Sequence, residues 1–308
     1  MAYWILTPAQ AMFLFLFIPA CMIAGSITLH WLATHSRRVG RCDGDQLVRR
    51  RRQFVHTVLN TFVKPFPILP FKEKKNLEGP GARARFVGAQ IGYRLLIMIV
   101  VAVLFVAAVT CETIFHECGH GFVLLQLGSN WSYIAVGFFN GYTMGIMPMP
   151  FNPVNEMMVS IGGPIMSVIM GVIVLSFLAI PQVRRSFLAS LFTYALAMAC
   201  LSADLQAWFA RSVNIVFGLG PGEGPSDLYN FLYFASVVPG GWNATGIIWL
   251  TFPLIVIDYV GVTIIGGKLW RVHYPKHRFS HVWFLLLINL FWWLNLLTQN
   301  YAFGLIRL

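Results

Sequence analysis

The chain has 308 residues, of which 57% are hydrophobic, 15% aromatic and only 11% charged, with a net charge of +11. A soluble domain carries about 25% charged residues, so a soluble globular enzyme is excluded. Disorder and fibrous repeats are excluded too, because neither tolerates so many large apolar side chains. The basic excess is not a nucleic-acid signature. Fourteen of the 22 Lys and Arg lie between Arg37 and Arg94, in one hydrophilic block whose first role is to set topology and whose second is to meet anionic lipid. Cys21, Cys42, Cys111, Cys118 and Cys200 show no paired spacing, so no disulfide framework is expected.

The composition predicts an all-α polytopic membrane protein of about six transmembrane helices, because a helix needs about 20 apolar residues to cross a hydrocarbon core. A first span is expected at 11–33, with no basic residue before it and so no cleavable signal. Residues 34–90 read as a basic loop or interfacial subdomain. Residues 91–127 are apolar for longer than one crossing requires and predict a long, tilted or broken helix. Residues 130–151 are rich in Gly, aromatics and Pro. Asn140-Gly141 lies among them, which predicts a short β-hairpin or re-entrant element packed on protein at membrane level. Further spans are expected at 154–180 and 186–217. The sequence GLGPGEGPS at 218–226 breaks any helix, and Asp227 then opens a short one to about Val238. Two last spans are expected near 244–267 and 281–305. The rule that positive loops stay inside places loops 34–90 and 268–280 in the cytoplasm.

Residues 116–120 read His-Glu-Cys-Gly-His. On a helix His116 and His120 share one face and can point at one ion, with Glu117 beside them to activate its water. Two imidazoles and one carboxylate would make a Zn2+ site with an open fourth position. Glu112, one turn before His116, is a candidate acceptor for an imidazole N–H. The third metal ligand must come from far along the chain, from Asp227, Asp204 or Glu223. Asp227 heads a helix, so it reads either as a ligand or as a plain N-cap. Asp204 sits two turns from Arg211 on one side of its span, which favours an internal ion pair over a ligand. His273, His277 and His281, at four-residue spacing, suggest a histidine-box di-iron membrane oxidase, but a basic interfacial loop accounts for them better because no His-His pair exists.

Phe-His-Glu-Cys-Gly-His-Gly-Phe at 115–122 resembles the zinc helix of the site-2 protease family of intramembrane zinc metalloproteases. The 130–151 hairpin, Gly163-Pro164-Ile165-Met166-Ser167 and the Asn214…Pro221…Asp227 stretch resemble later elements of that family. Ser167 stands where the family usually has Asn, and Leu228 where it has Gly, so this would be a divergent member. The resemblance implies catalysis by Glu117, with His116, His120 and Asp227 on zinc and a transmembrane protein as substrate. The charge count puts the site near the outer face, whereas the family's site lies toward the cytosol. The chain then divides into a first transmembrane segment (1–33), a basic block (34–90), a protease-like zinc core (91–238) and C-terminal helices (239–308). The expected partners are the lipid bilayer and a transmembrane substrate, without nucleic acid. The alternative function is a non-catalytic, protease-like subunit of a membrane complex.

Overall fold

The computed structural model describes residues 3–39, 80–137, 140–146, 149–218 and 226–275. A short strand, β1 (Trp4–Leu6), leads into helix α1 (Pro8–Val39). Helix α2 (Pro80–Gln126) follows, then strands β2 (Asn130–Val136) and β3 (Gly141–Ile146). Helix α3 (Pro153–Ser176) continues into a single 3-10 turn, and the five-residue α4 (Pro181–Arg185) leads to α5 (Phe187–Val216). The described chain closes with α6 (Asp227–Val237) and α7 (Ala244–His273).

Among the described residues five segments are long and apolar enough to cross a membrane: Pro8–Leu32, Met98–Gln126, Pro153–Ala179, Phe187–Val216 and Ala244–His273. The chain is thus a mostly helical, multi-pass membrane protein with a small antiparallel sheet. The sixth expected span, 281–305, lies outside the described residues, as do Glu223, His277 and His281. Four of the five spans expose several large apolar side chains to their surroundings, and Phe187–Val216 is the most buried. On α7 these include Trp249, Ile257 and Ile264, as lipid-facing helices require.

Two sequence expectations change form. The helix expected over 91–127 is continuous and begins at Pro80. Proline is tolerated in the first turn of a helix and none occurs further in, so nothing interrupts it. It ends on Gly128, whose φ of 74° suits glycine, with Ser129 N–H donating to the Leu124 carbonyl. The hairpin is present, but the chain does not reverse at Asn140-Gly141. Gly137 N–H donates to the Asn140 carbonyl, and Gly141, opposite Val136, is already the first residue of β3. The N-terminal strand joins as a third member, giving the order β1-β2-β3 with Leu6 opposite Ile134 and Val136 opposite Gly141.

The core that positions the site is the α2–α3–α5 bundle. Ala108 and Phe115 of α2, Met170 and Val174 of α3, and Leu196, Ala197 and Cys200 of α5 form one buried cluster. Small residues set the closest approach. A Cβ on Gly119 of α2 would overlap the Gly162 carbonyl of α3, and one on Gly162 would come 2.9 Å from the Gly119 carbonyl. Backbone thus meets backbone, the close crossing that small residues allow in membranes. The sheet lies on the other side of α2, where Trp131 and Ile134 pack against Ile114 and Cys118.

Candidate metal centre

Three elements converge at the α2–α3 crossing. His116 and His120 come from α2, one helical turn apart, and Asp227 is the first residue of α6. The His116 Nε2 atom lies 2.8 Å from Asp227 Oδ2 and 3.1 Å from His120 Nε2, and His120 Nε2 lies 3.4 Å from the same carboxylate oxygen. His116, His120 and Asp227 therefore form a group that could hold a metal ion.

The donor chemistry fits a cation. The Val159 carbonyl can only accept, so His120 Nδ1–H donates to it at 2.6 Å. His116 Nδ1 is matched in the same way with the Asp204 carboxylate at 3.1 Å. With one proton on each Nδ1, both Nε2 atoms turn lone pairs toward each other and toward an anionic oxygen, and a second proton on His116 or a metal ion is what relieves them. Such an array repels itself unless a positive charge stands among the three atoms. Their separations bracket the ligand–ligand edge of a tetrahedral zinc site, about 3.3 Å for bonds of ~2.0–2.1 Å. Gly163 of α3 leaves the space: a Cβ there would lie 2.5 Å from His120 Nε2 and 2.6 Å from His116 Nε2.

The local sequence explains how each group is aimed. On α3 the Val159 carbonyl accepts from His120 Nδ1–H and fixes the direction of that ring. At the head of α6 the cap is Ser226, which accepts from Tyr229 N–H at 3.3 Å. Asp227 is therefore not the N-cap, and its carboxylate is free to turn to the imidazoles.

Around the centre, two expected roles are exchanged. Glu112 stands 3.9 Å from His116 Nδ1, beyond hydrogen-bond reach, and instead accepts from Ser167 Oγ at 2.9 Å. The imidazole partner is Asp204, which among the described residues makes no ion pair with Arg211. Ser167 also lies 3.4 Å from His116 Nδ1, so it links Glu112 to the same edge of the ring. Glu112, His116 and Asp204 form a second group of ligand-type atoms, on the far edge of the imidazole from the first.

Glu117 is buried beside the histidines, with its Oε2 2.8 Å from Thr143 Oγ1 of β3. Neither Thr143 nor Val159 stands out in the sequence. They lie 26 residues from Glu117 and 39 from His120, and no spacing rule connects elements that far apart. Gly163 was visible only as part of a family-like motif. His273 lies elsewhere, 2.8 Å from Ser190 Oγ and against the Phe187 ring, and joins no metal-holding group among the described residues.

No protein-family model matches the chain, and no curated protein or solved structure shows significant similarity to it.

Proposed function

We propose that this chain is an intramembrane zinc metalloprotease that hydrolyses peptide bonds of transmembrane or membrane-adjacent segments. The observation that carries the reading is the convergence of two Nε2 lone pairs and one carboxylate oxygen within a bundle of membrane spans, with Glu117 adjacent. Ionisable groups at membrane depth are costly and mark function. Here four acidic residues and two histidines gather around one point, Glu112, Glu117, Asp204 and Asp227 with His116 and His120.

In this reading His116, His120 and Asp227 hold the ion, and Asp204 and Val159 fix the two rings. A bound zinc ion supplies Lewis acidity and a water acidified toward neutrality. Glu117 accepts the water proton on Oε1, the oxygen that Thr143 leaves free, and returns it to the leaving amine. A helical substrate hides its carbonyls in its own hydrogen bonds and must unwind to be cut. β3 supports that step, since it is the last strand of the sheet and no strand pairs with its outer edge among the described residues. Its Tyr142, Met144 and Ile146 are exposed. An unwound segment can add there as a further strand.

The test uses the full chain in liposomes with a synthetic transmembrane peptide carrying helix-breaking residues. Glu117→Gln is expected to keep the metal and lose cleavage, and His120→Ala to lose both. Cleavage by Glu117→Gln at the wild-type rate refutes the mechanism. A metal-loaded wild type that cuts no such peptide supports a non-catalytic subunit instead.

A further inference from the structure

We propose that Thr143 is a positioning residue that tethers the Glu117 carboxylate, an inference that rests on the reading of Glu117 as the proton-transfer group. Its single hydroxyl proton is shared between two acceptors of one residue, 2.7 Å from the Glu117 backbone carbonyl and 2.8 Å from its Oε2. The bridge pins the end of a flexible side chain to its own backbone, which fixes the rotamer. It also engages Oε2 and leaves Oε1 as the oxygen open to a proton.

Other threonines in the spans behave differently. Thr113 and Thr251 each donate to the carbonyl four residues earlier in their own helix, at 3.0 and 2.8 Å. That is how a hydroxyl is satisfied in an apolar helix without any further role. Thr143 instead reaches out of a strand to a residue on a different element.

The strand is built to let it reach. Residues 141, 143 and 145 share one face of β3, and they read Gly, Thr, Gly. A Cβ on Gly141 would come 2.9 Å from Glu117 Cγ and 2.8 Å from Thr113 Cγ2. One on Gly145 would come 2.5 Å from Leu124 Cδ1. Only glycine at both flanks brings the strand close enough to α2 for the hydroxyl to meet a buried carboxylate. The opposite face carries Tyr142, Met144 and Ile146, all exposed. One strand thus presents its bare face to the general base and its outer edge to the surroundings.

The experiment compares Thr143→Val, which keeps the shape and removes the hydroxyl, with Thr143→Ser, which keeps the hydroxyl, both in the full-length chain. Both variants are expected to keep wild-type zinc content. For the transmembrane peptide, Val is expected to lower kcat about 10-fold to 100-fold, the effect of losing a hydrogen bond to a charged group, with KM within about twofold. Ser is expected to restore most of kcat. Wild-type kcat in Val overturns the proposal, as does a Ser variant as slow as Val. A second measurement needs no hydrolysis. The Glu117 carboxylate stretch in isotope-edited infrared spectra, identified by its loss in Glu117→Gln, is expected to shift in Val and not in Ser. An unshifted band in Val overturns the tether. If wild type cuts no peptide, the protease reading fails while the infrared result still decides the tether.

Discussion

Replacing Gly163 by Ala would put a methyl carbon 2.5 Å from His120 Nε2, 2.6 Å from His116 Nε2 and 2.7 Å from His116 Cδ2. A comfortable carbon–nitrogen contact is near 3.5 Å, so something must move by about 1 Å. The imidazoles cannot swing aside freely, because His120 is anchored on Val159 at 2.6 Å and His116 on Asp204 at 3.1 Å. Nor can α3 retreat without opening the backbone contact between Gly119 and Gly162. Overpacking of this kind costs about 1–3 kcal/mol, roughly 5-fold to 150-fold in an equilibrium constant. Here it falls on the atoms that would bind the ion. We expect Gly163→Ala to weaken metal binding at least about tenfold. The assay is titration with Co2+, read by visible absorption, together with zinc content after dialysis against chelator. Gly261→Ala is the control, since a Cβ there meets nothing within 4 Å. Wild-type Co2+ affinity in Gly163→Ala would refute the claim that a cation stands between the two rings.

Asp204→Asn is expected to lower metal affinity about 10-fold to 100-fold, the usual effect of removing a carboxylate behind a ligating histidine. Glu112→Gln, at 3.9 Å from the same nitrogen, is expected to change it by less than about threefold. Equal losses in the two Co2+ titrations would return Glu112 to the imidazole. Ser226→Ala removes the cap of α6 and is expected to cost about 0.5–2 kcal/mol of helix stability. Because the same turn aims Asp227, thermal midpoint and metal affinity should fall together, and Ser226→Asn should restore both. A lowered midpoint with intact affinity would show that Asp227 does not depend on its cap.

What the sequence could reveal was set by the range of each interaction. The spans follow from uninterrupted apolar runs, and His116 with His120 from the shared face of residues four apart, both local properties of a helix. Asp227 was legible as a candidate because a helix start after a Gly/Pro break can aim a carboxylate. The choice between ligand and cap was not, because it depends on Ser226 taking the cap. Asn140-Gly141 illustrates a local signal overruled by packing. Gly141 is needed where a strand meets Thr113 and Glu117, so it serves as a strand residue.

The exchange between Glu112 and Asp204 shows why helical spacing alone chose the wrong carboxylate. Sharing a face brings Glu112 alongside His116, but it does not set the direction of the ring. Once Nε2 is turned toward His120 and Asp227, geometry obliges Nδ1, on the far side of the five-membered ring, to look the other way. That direction is toward α5, and α5 presents Asp204 there. Glu112 is left to Ser167, the residue that stands where an Asn was expected from the family resemblance, and the Ser167 hydroxyl occupies the Glu112 oxygen nearest the ring. The orientation of one imidazole thus selects its carboxylate, and that orientation follows from the three-element convergence that no single helix encodes. The same logic makes the Asp204→Asn and Glu112→Gln comparison informative for any cation, because Asp227 and His120 fix the ring direction.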